Sequence, residues 1–350
     1  MKAWQVTSYG PPREGLALVE VAEPVPGPRE VLVRVAASAG NYNEVDACHG
    51  RYLTVDPPLP YTLGMELVGE VIGAGPEAEG WIGRRVMTSG VGAQGAHAEL
   101  AVGPTAMTFE TPSCLDDTEA AAFFYPFHLA HLALFERGRL QAGETVLVHA
   151  AAGGVGSAAV QLAVARGARV IATAGGPEKT ALAEELGADV AIDYRRADFA
   201  AAVLEATGGR GVDVCFDGVG GEVTLQSLRC LARGGRHLVV GFAGGIEAEE
   251  VPTISGRMLC FGNFDVLGVI LAYLDDDIRP SPDWPLPGAP PRFNPPPASQ
   301  GRQVHADLVG LLDAGKIRPL VGGVVPFEDL PRALEWMEAR ATTGRVVIRR

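Results

Sequence analysis

The stretch Ala150-Ala151-Ala152-Gly153-Gly154-Val155-Gly156 carries the residues with the clearest chemical potential in this chain. It lies between a short apolar run, Thr145 to His149, and a stretch of helical composition, Val155 to Arg166. A side chain in such a turn would hold the backbone away from a pyrophosphate. The helix that follows offers unpaired N–H groups and a partial positive charge. Gly153, Gly154, Val155 and Gly156 are therefore candidate cofactor-binding residues, and Gly156 also lets helix and strand pack closely. The spacing is AxxGxxG from Ala150, a variant of GxGxxG with alanine first. On its own it also suits a plain tight turn; its weight comes from the βαβ units around it.

The end of the next strand chooses the nucleotide. NAD-specific sites place Asp or Glu about 20 residues past the turn, where it accepts from the ribose 2′-hydroxyl. Here that place holds Thr173-Ala174-Gly175-Gly176, with no acid before Glu178. Thr173 is a candidate contact, and nothing there repels a 2′-phosphate. Lys179, one of only three lysines in the chain, can offer an ammonium to that phosphate. It also suits a solvated helix face. Tyr194 can donate a hydrogen bond to the same group or simply pack. Ligands of open α/β sheets lie beyond the carboxyl ends of the strands. That nominates Val219 in Asp217-Gly218-Val219-Gly220, and Gly241 and Phe242 in Gly241-Phe242-Ala243-Gly244, as contacts to ribose and nicotinamide. Structural turns are the alternative. The expected cofactor is NADPH.

These residues need a parallel sheet to hold them. Strand-like runs at Thr145–His149, Arg169–Thr173, Asp189–Ile192, Val212–Phe216 and Arg236–Val240 alternate with helical stretches. Leu259 to Leu271 completes six strands. This βαβ alternation with nearly continuous apolar strands means a doubly wound parallel sheet, covered on both faces. Before it, runs such as Val31–Val35 and Glu66–Ile72, punctuated by Gly and Pro, read as a compact β domain. Residues 279–297 hold nine prolines, which excludes an ordinary helix or central strand. A surface excursion, a lid or a subunit-contact arm all fit that stretch. Helices at Val304–Asp313 and Leu330–Ala339 and strands at Pro319–Val324 and Arg345–Ile348 return to the first domain. The expected division is 1–120, 121–271 and 272–350.

Bulk properties narrow the partners. The 350 residues carry a formal charge of −13, which argues against nucleic acid or an anionic membrane. No apolar run approaches a membrane span, and the N-terminus reads as a strand rather than a signal. The five cysteines are scattered, without CxxC spacing. A soluble, cytoplasmic protein acting on a small molecule is the simplest expectation.

Taken together, Pro58–Gly69 (PLPYTLGMELVG), His149–Gln161 (HAAAGGVGSAAVQ), Leu186–Asp189, Asp217–Gly220 and Gly344–Val347 resemble the medium-chain dehydrogenase/reductase superfamily, in its zinc-independent quinone oxidoreductase branch. The resemblance implies an α/β architecture: a Rossmann domain plus a GroES-like β-rich catalytic domain, with the active site in the cleft between them. It also implies a homodimer paired through the last Rossmann strands, here the stretch Leu259 to Leu271. In zinc-dependent relatives a Cys, a Gly-His-Glu motif and a later Cys bind the metal. Here Asn41 stands where the first Cys is expected, Gly64-Met65-Glu66 replaces Gly-His-Glu, and the four-cysteine lobe is missing. Amide and thioether are poor zinc ligands, so no metal site is expected. His49, His97, His128 and His131 read as packing or surface residues.

The resemblance assigns catalytic positions to Asn41, in Asn41-Tyr42-Asn43-Glu44, and to Tyr52, in Gly50-Arg51-Tyr52. Asn41 would hydrogen-bond the acceptor oxygen or the cofactor; Tyr52 would donate a proton or shape the pocket wall. Leu129 departs from a threonine common near the cofactor, which leaves His128 or a backbone group to substitute. Without a Lewis acid the acceptor must already be electrophilic, such as a quinone. An enoyl-type reductase of enals, enones or enoyl thioesters is the alternative, followed by a low-turnover NADPH-binding protein.

Overall fold

The computed structural model describes residues 1–51, 57–244, 254–278 and 294–350. The chain forms two compact units, Met1–Phe124 with Ala272–Val309 and Val321–Arg350, and Tyr125–Leu271 with Gly310–Leu320. The return segment therefore does not go wholly to the first unit: Gly310–Leu320 belongs with the second.

The first unit is β-rich. Its strands are β1 (Lys2–Val6), β2 (Leu16–Glu20), β3 (Glu30–Ala39), β4 (Tyr61–Thr62), β5 (Glu66–Ala74), β6 (Arg85–Ser89), β7 (Leu100–Pro104) and β8 (Phe109–Glu110). Alternation along β3 sends Val31, Val33 and Val35 inward, where Leu67, Val71 and Val86 meet them.

The second unit is the expected six-stranded parallel sheet. Its strands are β9 (Thr145–Val148), β10 (Arg169–Ala174), β11 (Val190–Asp193), β12 (Val212–Asp217), β13 (Leu231–Val239) and β14 (Asp265–Gly268). They run in the order β11-β10-β9-β12-β13-β14, all parallel. The order reverses at β9, so the carboxyl ends of β9, β10 and β12 form the crevice where such sheets bind ligands. The sixth strand is shorter than expected. Residues Gly256–Gly262 form a helix, capped by the Ser255 hydroxyl, and Asn263 ends it in the left-handed region at φ 50°. An apolar run cannot by itself separate helix from strand, which is why Leu259 to Leu271 read as one element.

The chain closes with β15 (Val321–Pro326) and β16 (Arg345–Arg349). These join the first unit's main sheet in the order β15-β16-β3-β5-β6-β8, with β7 also on β3. Most of the proline-rich stretch, 279–293, lies outside the described residues. Its two flanks meet: Leu274 N–H donates to Pro296 O (3.1 Å) and Ala298 N–H to Leu274 O (2.7 Å). Among the described residues no helix is long and apolar enough to cross a membrane.

Candidate functional site

Strand β9 ends in a tight turn. Ala150 adopts φ 51°, Gly153 N–H donates to Ala150 O (2.9 Å), and Ala151 N–H donates to Thr173 O (3.1 Å). Gly153 is the N-cap of the helix Gly154–Arg166, and no side chain caps it. The first-turn N–H groups therefore lack intrahelical partners and keep their positive end available to an anion. Gly153, Gly154 and Val155 are half-buried, whereas Gly156 is buried. A methyl group on Gly156 would overlap the Ala150 carbonyl and the Ala151 backbone, so only glycine permits this approach. The four turn residues singled out in the sequence thus fit a dinucleotide's pyrophosphate.

At the end of β10 the expectation needs correcting for Thr173. Its side chain is buried, and its hydroxyl lies 2.8 Å from His149 Nδ1, so it faces the interior of the unit. Beyond it Gly175 is also buried and Gly176 is half-buried. A methyl group on Gly175 would fall 2.6 Å from Tyr194 Oη and 3.0 Å from Arg195 Nε. Tyr194 and Arg195 are both exposed and converge on this strand end. Asp193, at the end of β11, has its Oδ1 engaged by backbone: it accepts from Gly176 N–H (2.9 Å) and Arg195 N–H (3.0 Å). The Gly176 bond is the main reason its carboxyl sits below the ordinary range. Lys179 is half-buried in the first turn of the helix Pro177–Glu185. Arg195 escaped the sequence reading, although two arginines directly after Tyr194 in an acidic chain were an available signal.

The two loops after β12 and β13 touch each other. Ala243 N–H donates to Gly218 O (3.0 Å) and Gly244 N–H to Val219 O (2.8 Å). Asp217 shapes the first loop by accepting from the N–H groups of Val219 (2.8 Å) and Gly220 (3.0 Å). It also accepts from Thr224 Oγ1 (2.5 Å) and from His237 Nε2 (3.1 Å). Burial opposes ionisation of Asp217, but the His237 hydrogen bond, the nearby His149 and the Thr224 hydroxyl outweigh it, and the carboxyl is held well below the ordinary range. Val219 and Gly241 are half-buried at this rim, and Phe242 is exposed. His128 and Leu129 are buried in the helix Phe124–His131.

In the first unit, Asn41 caps the helix Tyr42–Cys48 and is almost fully buried. Its amide nitrogen donates to Glu66 Oε1 (3.1 Å) and Ala39 O (3.3 Å), and its Oδ1 accepts from Arg345 (3.1 Å). Arg345 also pairs with Glu66. Both Asn41 amide N–H bonds are thus committed within the protein. Behind them Glu44 accepts from Asn41 N–H (3.1 Å) and Met65 N–H (2.8 Å), with His97 Nε2 at 3.0 Å. His97 Nδ1 meets Ser38 Oγ at 2.8 Å. This buried network links the Asn41 and Met65 positions. Neither Glu44, Glu66, Ser38 nor Arg345 was read from the sequence as part of the site, because residues distant in sequence become partners only through folding. Tyr52 lies outside the described residues. Among the described residues no three His, Cys, Asp or Glu side chains are grouped as metal ligands.

Comparison with known proteins agrees with this geometry. Residues 27–113 match the family of alcohol dehydrogenase GroES-like domains, and residues 154–284 match that of zinc-binding dehydrogenases. The mouse quinone oxidoreductase-like protein 2 is 37% identical over 348 residues, covering 96% of this chain and 89% of that protein. The quinone oxidoreductase of Pseudomonas syringae pv. Tomato DC3000 superposes with a TM-score of 0.83 at 31% identity, over 100% of this chain and 99% of that one. The quinone oxidoreductase of Thermus thermophilus, whose NADPH complex is also solved, gives 0.76 at 33% identity, with all of both chains covered. An uncapped glycine turn on a six-stranded parallel sheet, in a chain that also carries a GroES-like unit and has relatives of this kind, places the protein in the quinone oxidoreductase branch of the medium-chain dehydrogenase/reductase superfamily, as an NAD(P)H-dependent oxidoreductase.

Proposed function

We propose that this protein is a zinc-independent reductase that uses NADPH to reduce quinones or related carbonyl-conjugated acceptors. The observation that carries the choice of cofactor is the end of β10. There the exposed Tyr194 and Arg195 pack onto the side-chain-free Gly175, and one carboxylate oxygen of Asp193, at the end of the neighbouring β11, is engaged by backbone N–H groups. A guanidinium and a phenol suit a phosphate; a ribose 2′-hydroxyl would call for a carboxylate acceptor. Lys179 adds an ammonium from the next helix. The turn from Gly153 to Gly156 seats the diphosphate, and Val219, Gly241 and Phe242 line the rim for ribose and nicotinamide.

When bound, the nicotinamide supplies the hydride. The protein's task is then to orient the ring, exclude water and hold the acceptor. Asn41 contributes by fixing the Glu66–Arg345 pair and the start of the helix Tyr42–Cys48, rather than by donating to an acceptor oxygen. Tyr52 stays the proposed proton donor or pocket wall. The donor set does not fit zinc. Asn41 and Met65 offer amide and thioether, and Glu66 is already paired with Arg345. Cys48, the nearest thiol in sequence, is pushed up to about 12 by burial and by Glu44. Without a Lewis acid, conjugation in the acceptor must spread the arriving charge.

The test is cofactor titration followed by an acceptor panel. NADPH should bind at least about tenfold tighter than NADH, and Arg195→Ala should remove most of that preference. Equal affinities in the parent would overturn the NADPH assignment. Oxidation of NADPH by ortho- or para-quinones, by zinc-free protein, is the expected activity. Turnover confined to enoyl thioesters, or dependent on stoichiometric zinc, would refute it.

A further inference from the structure

We infer that His149 is a positioning residue of the dinucleotide site, a neutral imidazole with its proton on Nε2 that staples the glycine turn to β10 and to the helix Glu222–Leu228. The positioning role rests on the proposal that a nicotinamide dinucleotide sits at this turn; the staple itself does not.

His149 follows β9 directly and precedes Ala150, whose positive φ opens the turn. Its ring is buried, with Nδ1 2.8 Å from Thr173 Oγ1 and Nε2 2.7 Å from Ser227 Oγ. Phe199 closes the ring edge-on at 4.8 Å between centroids. Both partners are hydroxyls, so the tautomer depends on where their protons go. Ser227 Oγ lies 2.6 Å from Val223 O, and a carbonyl can only accept. The single Ser227 proton therefore points to Val223, and Ser227 Oγ accepts from His149 Nε2–H. Nδ1 is left as the acceptor, and the Thr173 hydroxyl donates to it. The opposite tautomer would leave two oxygens 2.6 Å apart with no proton between them. A doubly protonated ring would require the Thr173 hydroxyl to turn round and accept.

Three segments at the carboxyl end of the sheet meet on this ring. Thr173 grips the turn twice, by its hydroxyl at His149 and by its carbonyl at Ala151 N–H (3.1 Å). Ser227 belongs to the helix that follows the Asp217–Gly221 loop. The titratable groups facing His149 are Asp217 on β12, which favours its charging, and His237 on β13, which opposes it; burial dominates and lowers His149 to about 4. The function of the ring is to hold the turn open in one shape.

Nitrogen-15 NMR of the imidazoles in the full chain without cofactor tests the staple. His149 should show a protonated Nε2 and a bare Nδ1, unchanged from about pH 8 to about pH 5. A proton on Nδ1, or titration near the ordinary value of 6.5, would overturn it. Thr173→Val, folded and compared with the parent by NADPH titration, tests the positioning role. It should bind NADPH roughly tenfold more weakly, with Thr173→Ser restoring the affinity. Parent-like affinity in a folded Thr173→Val overturns positioning whatever the tautomer. If the parent itself binds no dinucleotide, the cofactor assignment and the positioning role both fall, and the NMR result still decides the staple.

Discussion

Gly156 and Gly175 show how single atoms set this site. A methyl group at Gly156 would strike the Ala150 backbone, which no rotamer change can relieve. Gly156→Ala is therefore expected to displace the turn and weaken NADPH binding by at least about tenfold, as read by cofactor fluorescence. Parent-like affinity would show that the diphosphate sits elsewhere. Gly156 was legible in the sequence because its spacing from Gly153 reports a backbone approach. Arg195 was not, because its value comes from lying beside Gly175 across two strand ends. Asn41 falls between the two cases. Its position followed from the resemblance, but the commitment of its amide to Glu66, Ala39 and Arg345 depends on residues up to 304 positions away in sequence.

Among the elements, the carboxyl ends of β9, β10, β12 and β13 share one buried polar cluster, and this makes the unit pH-sensitive in a defined sense. His149 has its folded pKa lowered, chiefly by burial, from 6.5 to about 4. The unfolded chain therefore binds the proton first as pH falls. Stability is full above about 6.5 and declines between 6.5 and about 4, by about 3 kcal/mol at most. Asp217, also depressed, adds a further loss below the unfolded carboxylate value of 3.8. Urea unfolding at stepped pH should show both windows, and His149→Gln should reduce the slope in the upper one only. His305 is lowered by burial too, so part of that slope persists in the variant. An unchanged upper slope in His149→Gln would refute the assignment. Helix and strand positions themselves were mostly readable from apolar runs and glycine punctuation. One exception, Gly256–Gly262, was decided by a serine cap and a left-handed asparagine, which periodicity does not report, and another, the short helix Tyr42–Cys48, went unread within the β-rich unit.

On the scale of the whole molecule, the open end of the parallel sheet is the feature that invites a second copy. β14 is the last strand in its sheet, with no described strand on its outer edge. The helix just before it buries none of its residues, and Phe261 is 82% exposed. An unpaired strand edge beside exposed apolar side chains is a site for pairing with a like chain. We therefore expect a homodimer in sedimentation experiments at micromolar concentration, with Phe261→Asp shifting the chain toward monomer. A monomeric parent would refute this arrangement.

The sequence alone set out most of the order of elements in the parallel sheet and marked the glycine turn proposed as the diphosphate seat. Glycine spacing and runs of apolar residues are local consequences of backbone sterics and burial, and they survive without knowledge of the fold. Residue type at Asn41 and Met65, the positions the resemblance compares with zinc ligands, set the expectation of no zinc, since an amide and a thioether are poor donors to it. Tertiary structure decided what the remaining polar groups do. Thr173 turned inward to His149, Arg195 arrived beside Tyr194 and Gly175, and Asn41 was tied to Glu66 and Arg345. A buried donor or acceptor must find a partner wherever the chain brings one, and that choice is made by packing, not by neighbours in the sequence.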